Sequence, residues 1–232
     1  MNFNEYKTAI QTFDDTGLSS LDITDISLPE LESLMAEQDR LISTLVERGA
    51  TIAGWKIVDK NDGVIISPIF DFQVLATIGE KVSREALLGT ETEVCFMLSV
   101  PTSDGLIDEY VDNLDTYVAV ELIRPEINNS NHSACDFYFN YGVLVSQDPA
   151  CGELSFIGGN PNYIFSFTIE QAAVKKREVL KQGVLECIRR GYGGKDYFFI
   201  TGTLNGLASA TDSIGHNSLK YHEEVLISFD VI

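Results

Sequence analysis

The sequence is short of positive charge. Its 232 residues carry 16 Lys and Arg against 35 Asp and Glu, a formal net charge of −19. A chain this acidic is not drawn to polyanions, which excludes nucleic acid and anionic membrane surfaces as partners through general electrostatics. The basic residues form no long run. Lys175-Lys176-Arg177 and Arg189-Arg190 are short, fall in an expected helix, and read as a solvated helix face. Histidine is scarce: His132, His216 and His222 all stand in polar or loop-like contexts that predict surface positions, with His132 also a candidate for a lid. The four cysteines, Cys95, Cys135, Cys151 and Cys187, show no Cys-x-x-Cys spacing and no nearby histidine pattern, so a zinc site is not expected. No apolar run approaches the ~20 residues of a membrane-spanning helix. The opening Met-Asn-Phe-Asn-Glu-Tyr lacks the basic-then-apolar pattern of a leader. Repeats and low-complexity linkers are absent from the sequence. These absences describe a soluble, reduced protein, expected in the cytoplasm.

What is present is an unusual placement of acids. Glu91-Thr92-Glu93-Val94-Cys95-Phe96-Met97-Leu98 has the β-branched and aromatic content of a strand, with Gly89 ahead of it. Side chains alternate along a strand, so Glu91 and Glu93 share one face. Glu121 lies in Tyr117-Val118-Ala119-Val120-Glu121-Leu122-Ile123, an otherwise apolar segment. A carboxylate buried there costs several kcal/mol unless it is paired or holds a metal. Three carboxylates meeting at one point form an oxygen-rich site suited to Mg²⁺ or Mn²⁺. Lys56 sits between Trp55 and Ile57 in another expected strand, with the solvent face and the buried face equally open to it on pattern alone. Trp55 and Cys95 read as core residues. Asp71 and Asp136 are candidates for a general base.

Taken in order, residues 1–13 predict a short helix with Tyr6, Ile10 and Phe13 on one face, broken by Asp14-Asp15-Thr16-Gly17. A second helix starts near Ser27-Leu28-Pro29, with apolar positions at Leu31, Leu34, Leu41, Leu45 and Val46, and ends at Gly49. Strands are expected at 51–58, 64–70, 91–98, 117–123, 138–145, 163–167, 197–203 and 224–232. Pro68 marks the second of these as an edge or bend. Residues 106–114 and 169–190 read as helices, the latter the longest in the chain. Helices gathered at the N-terminus and late in the chain, around a strand-rich remainder, define an α+β protein with a mixed, barrel-like sheet. Residues 1–50 are read as a helical segment packed on a catalytic domain of residues 51–232.

In their order and spacing these segments resemble the fumarylacetoacetate hydrolase superfamily, nearest its 2-keto-4-pentenoate hydratase and 4-oxalocrotonate decarboxylase branch. Gly54-Trp55-Lys56-Ile57 is similar to the family's lysine strand, Glu91-Thr92-Glu93 to its E-x-E strand, Val120-Glu121-Leu122 to its third carboxylate strand, and Thr201-Gly202-Thr203 to its late strand. The resemblance implies a β-barrel or roll. It implies Glu91, Glu93 and Glu121 as ligands of Mg²⁺ or Mn²⁺, Lys56 as a catalytic residue with a lowered pKa, and Thr201, Thr203 and Arg124 as substrate contacts. It further implies a homo-oligomer and a metal-dependent lyase, hydratase or decarboxylase in type. The substrate would be a 2-oxo acid or 1,3-dicarbonyl compound, reacting through a metal-stabilised enolate. The chain departs from the pattern at Val58-Asp59-Lys60, where the family carries Gly and then Thr or Ser. It also departs at Phe165-Ser166-Phe167, where a Gly-rich serine segment is usual, and at Glu126, which takes the place of an arginine. These departures imply a changed pocket. Three functions follow: a lyase with an altered substrate or an isomerase or cyclase using the same chemistry, a catalytically silent partner subunit, and a module that sequesters a small acid.

Overall fold

A computed structural model of the chain describes residues 1–12, 28–60, 63–105, 107–125 and 140–232. The readings of His132, Asp136, Cys135 and Glu126, and of the acidic break after residue 13, lie outside the described residues.

Two N-terminal helices, α1 (Phe3–Thr12) and α2 (Leu28–Glu47), precede the strands β1 (Ile52–Lys60) and β2 (Gly63–Phe70). Then come β3 (Ile78–Val82), β4 (Gly89–Ser99), α3 (Ile107–Asp112), β5 (Thr116–Ile123), β6 (Asn140–Val145), β7 (Glu153–Ile157) and β8 (Ile164–Thr168). The long helix α4 (Ile169–Arg189) is followed by β9 (Asp196–Thr203), β10 (Ala208–Ser209), β11 (Gly215–Tyr221) and β12 (Glu224–Val231). One sheet runs β2-β1-β9-β4-β5-β6, with β10 added beside β4; the other runs β3-β12-β11-β7-β8. Both are mixed: β1 pairs with β9 in parallel and β3 with β12 in parallel, while the other strand pairs are antiparallel. The larger sheet curls into a half-barrel, so the α+β, roll-like architecture expected from the sequence is the one found.

Local chemistry accounts for several elements. Pro68 removes a backbone donor, and β2 is an edge strand with a free side to tolerate that. In α2, Leu41 and Leu45 are buried as expected, but Val46 is 46% exposed and Ile42 takes its place on the packed face. The strand at 224–231 does not close the first sheet; it pairs with β3 and β11 in the second. Strands β3, β7, β10 and β11 have no counterpart in the sequence reading. β3, β7 and β10 are short, and β11 opens on the polar run His216-Asn217-Ser218, which hides the usual alternation.

The outer face of the large sheet carries the main core. There Ile57, Val94, Phe96, Val118, Val120 and Phe199 pack with Leu180 and Val184 of α4 and with Leu41 and Leu45 of α2. Gly183 lets α4 approach closely, since a Cβ there would stand 2.3 Å from the tip of Ile57. Arg190 closes the helix end by reaching Asp39 (2.5 Å) and Gln38 (2.9 Å) on α2, with its guanidinium 5.8 Å from the Trp55 ring centre. The inner face holds a second, smaller apolar cluster of Ile69, Cys95, Ala119, Val143, Val145 and Ile200.

Gly54, two residues before Lys56, fixes the contact of β1 with β9: a Cβ there would lie 2.6 Å from the Phe198 carbonyl oxygen. Backbone cannot yield as a side-chain tip does. Gly54→Ala is expected to destabilise the fold by about 1–3 kcal/mol, read as a lower urea midpoint at unchanged slope.

Candidate metal centre

β4 and β5 are antiparallel neighbours in a register that sets Glu91 directly opposite Glu121 and Glu93 opposite Ala119. All three glutamates therefore project from the inner face, above the small apolar cluster. One carboxylate oxygen from each lies within 4.8 Å of the others. Glu93 and Glu121 are fully buried, and Glu91 is half-buried at the open side.

Lys56 lies on the same face. It pairs with Ser67 on β2 and with Ile200 on β9. Its stem crosses the apolar floor, and Nζ reaches Glu121 Oε2 at 2.7 Å. Of the two orientations left open by the sequence, the buried one is realised, at 8% exposure. The other oxygen of Glu121 accepts a hydrogen bond from Asn140 Nδ2 (2.8 Å), and Asn140 is itself held by Gln73 Nε2, which donates to its carbonyl (2.8 Å) and side-chain oxygen (3.2 Å).

Glu93 is held by a bulge. β4 pairs Glu93 with Thr203 but Cys95 with Ile200, so Thr201 and Gly202 together face Val94. Gly202 adopts φ +89°, a region open to glycine, and this turns its N–H onto Glu93 Oε2 at 2.8 Å. Thr201 completes the bulge by donating its hydroxyl to the Val94 carbonyl (3.1 Å). The second oxygen, Glu93 Oε1, is buried and has no hydrogen-bond donor among the described residues.

The electrostatics are unbalanced. Two charges 4.8 Å apart repel by about 3–4 kcal/mol at an effective dielectric near 20. Three such pairs face one ammonium in ion-pair contact. Burial, reinforced by the charges of Glu121 and Glu91, holds the Glu93 carboxyl well above the ordinary carboxylate pKa, although Lys56 opposes this. Glu91 is raised too, chiefly by burial, while Lys56 and Lys176 pull it down. Burial tends to discharge Lys56, but Glu121, Glu93 and Glu91 more than offset it, and its pKa lies above the usual lysine value. The lowered lysine pKa expected from the sequence was for a lysine beside a bound cation, whereas here three acids with no ion between them outweigh desolvation.

This donor set fits a hard divalent cation. All three ligands are oxygens, one of them a buried oxygen with nothing bound to it, and the surplus negative charge is of the size an ion of charge +2 would cancel. Glu91, Glu93 and Glu121 would hold it.

Other sequence candidates lie apart. Asp71 is exposed, beyond the end of β2 that pairs with Ile52, and its carboxylate accepts the Thr51 N–H at 3.4 Å. Ile52 is four residues along β1 from Lys56, about 13 Å at ~3.3 Å per residue, so Asp71 does not join the cluster. Thr201 is committed to Val94, whereas Thr203, directly across from Glu93, has its hydroxyl near Asn205 (3.3 Å) at the rim. Arg124 is buried against α1, with its guanidinium 3.4 Å from the Tyr6 hydroxyl and 5.9 Å from that ring's centre. His216 pairs with Asp230 on the surface (2.9 Å), and His222 is exposed. Trp55, Cys95 and Cys187 are buried in the protein interior. Asn140, Gly202 and Lys176 were given no role by sequence reasoning, although Gly202 stood in the late-strand motif and Lys176 in the basic run. The run 175–177 is no uniform solvated face, since Lys175 is exposed while Lys176 and Arg177 are half-buried.

No family profile and no curated sequence matches the chain. Solved structures do. The 4-oxalocrotonate decarboxylase from Pseudomonas putida G7, in complexes with calcium and acetate and with magnesium and adipate, aligns at a TM-score of 0.68 and 12% identity, covering 100% of this chain and 99% of that one. The 5-carboxymethyl-2-hydroxymuconate delta-isomerase from Mycobacterium smegmatis gives 0.53 at 11% identity over 78% of this chain and 79% of the other. The maleylpyruvate hydrolase from Sphingobium sp. SYK-6 gives 0.50 at 9% over 89% and 88%. The class is an α+β roll with acids gathered inside its curl. The chain has the fold of the fumarylacetoacetate hydrolase superfamily. No helix among the described residues is long and apolar enough to cross a membrane.

The raised Glu93 pKa has a definite sign. Between the ordinary carboxylate value and the raised one, the folded chain holds more protons than the unfolded chain, so stability falls as pH rises through that window. Without metal, Glu93→Gln is expected to be more stable than wild type at pH 8 by about 1–3 kcal/mol. The gap should shrink as pH falls toward the ordinary carboxylate range. Mn²⁺ should raise the melting temperature of wild type and leave the variant unmoved. Thermal unfolding across pH, with and without Mn²⁺, checks both.

Proposed function

We propose that this chain is a divalent-metal-dependent enzyme acting on a 2-oxo acid or a related 1,3-dicarbonyl compound. The observation that carries the reading is the buried, unpartnered Glu93 Oε1 within a three-carboxylate cluster that a single lysine cannot neutralise. When bound, Mg²⁺ or Mn²⁺ would supply a Lewis acid that polarises a carbonyl oxygen.

The chain's own residues supply the rest. Asn140 and the Gly202 N–H fix two of the carboxylates, so the ligand set is held before any ion arrives. Lys56, in ion-pair contact with Glu121, is placed to donate a proton to a reacting carbon or oxygen and to stabilise negative charge. Thr203 offers a hydroxyl at the rim as a substrate contact. The apolar floor of Cys95, Ala119 and Ile200 keeps water away from below. Buried chemistry of this kind serves reactions in which charge develops on an oxygen beside the bond that changes. Within that class we assign a lyase, hydratase or decarboxylase in type, supported by the likeness to the 4-oxalocrotonate decarboxylase over the whole chain. The isomerase-type structural neighbour supports an isomerisation by the same proton transfer as the second reading.

Purified protein should turn over 2-oxo acids only with Mg²⁺ or Mn²⁺, and a chelator should reverse this. Lys56→Met is expected to lower kcat by about 10²–10⁴ while Mn²⁺ still binds. If calorimetry finds no Mn²⁺ bound by wild type, the reading fails.

A further inference from the structure

The buried stripe of α4 runs Ile169, Ala173, Leu180, Gly183, Val184 and Cys187. Steps of three and four residues keep such a stripe on one face, so the gap from Ala173 to Leu180 should be filled at 176 or 177. Both are cations. Arg177 is accounted for: its guanidinium donates to the Val111 and Leu114 carbonyls at the end of α3 and lies 5.2 Å from the Phe96 ring centre. Lys176 has no such role. It is half-buried, and among the described residues its ammonium has neither a hydrogen-bond acceptor nor a carboxylate in ion-pair contact.

Its position is specific. Lys176 Nζ stands 3.3 Å from where a Cβ on Gly202 would be, beside the residue whose N–H holds Glu93. A side chain at 202 would occupy the space the ammonium looks into. With a divalent ion present, three glutamates and Lys56 would sum to zero, and Lys176 makes the site a net single positive charge. In a protein of net charge −19, that local excess is what a monoanion would need.

We infer that Lys176 is a substrate-recognition residue that pairs with the carboxylate of a 2-oxo acid, so that the site selects a carboxylate-bearing 2-oxo compound over a neutral dicarbonyl. The inference rests on the metal reading above and narrows its substrate class. The carboxylate occupies the side of the site where Glu91 and Gly202 meet α4. Lysine there is a point charge rather than a fork, so arginine is a partial replacement and methionine removes the charge while keeping the stem.

The test uses pyruvate and pyruvamide, which share the 2-oxo group and differ in charge. Binding of each to the Mn²⁺-loaded full chain is measured by water-proton relaxation, alongside Mn²⁺ affinity and melting temperature. Wild type is expected to prefer pyruvate. Lys176→Met should weaken pyruvate about tenfold or more, leave pyruvamide and Mn²⁺ affinity unchanged and melt as wild type does; Lys176→Arg should recover part of the loss. Equal weakening of both ligands, a loss of Mn²⁺ affinity in Lys176→Met, or no preference for pyruvate in wild type would each overturn the assignment and leave the metal reading standing. Wild type that binds no Mn²⁺ would overturn both.

Discussion

Like charges gathered in a place that water cannot reach are the constraint on which this structure turns. Glu91, Glu93 and Glu121 lie within 4.8 Å of one another on the inner face of a curled sheet, two of them fully buried. Such a cluster costs stability in a metal-free chain. The surrounding residues limit that cost without abolishing it. Lys56 takes one oxygen of Glu121, Asn140 takes the other, and a glycine bulge supplies an N–H to Glu93. One oxygen of Glu93 is left without a donor among the described residues, and it is there that the proposed cation would bind.

The two faces of the large sheet divide the labour. The outer face binds α4 and α2 through a broad apolar core and provides the stability. The inner face carries a small apolar cluster among the described residues, with the three glutamates and Lys56 on the same face. The bulge at Thr201-Gly202 links the faces. It presents a backbone donor inward to Glu93 while its missing side chain opens a place for Lys176 coming from the helix side. One irregularity in β9 thus serves both the carboxylates and the helix cation.

The carboxylates were legible in the sequence because a strand has a period of two and because an acid in an apolar run demands a reason. Glu91 and Glu93 follow from alternation, and Glu121 from its neighbours. Lys56 was undecided, since alternation says which residues share a face and not which face is inside. The missed parts depend on register between distant segments. Nothing local in Asn140 predicts that it sits across from Glu121's strand, and nothing in Gly202 predicts a bulge. Lys176 could have been noticed as a charge at a core position of a helical stripe, but it lay inside a basic run that looked like surface. The fold class survived because the segregation of helices from strands needs no register at all.

The strand order carries a consequence for how the protein comes into being. Lys56 is on β1 and the glutamates are on β4 and β5, yet β1 and β4 never touch; β9, made near the end of the chain, is wedged between them. Until residues 196–203 emerge, the lysine and the acids belong to separate hairpin-like pieces with no fixed distance between them. Pairings so remote along the chain close slowly. During synthesis the contact of Lys56 with the carboxylates is therefore among the last to form, and a chain halted before β9 would carry the three acids on their strand pair with no ammonium beside them.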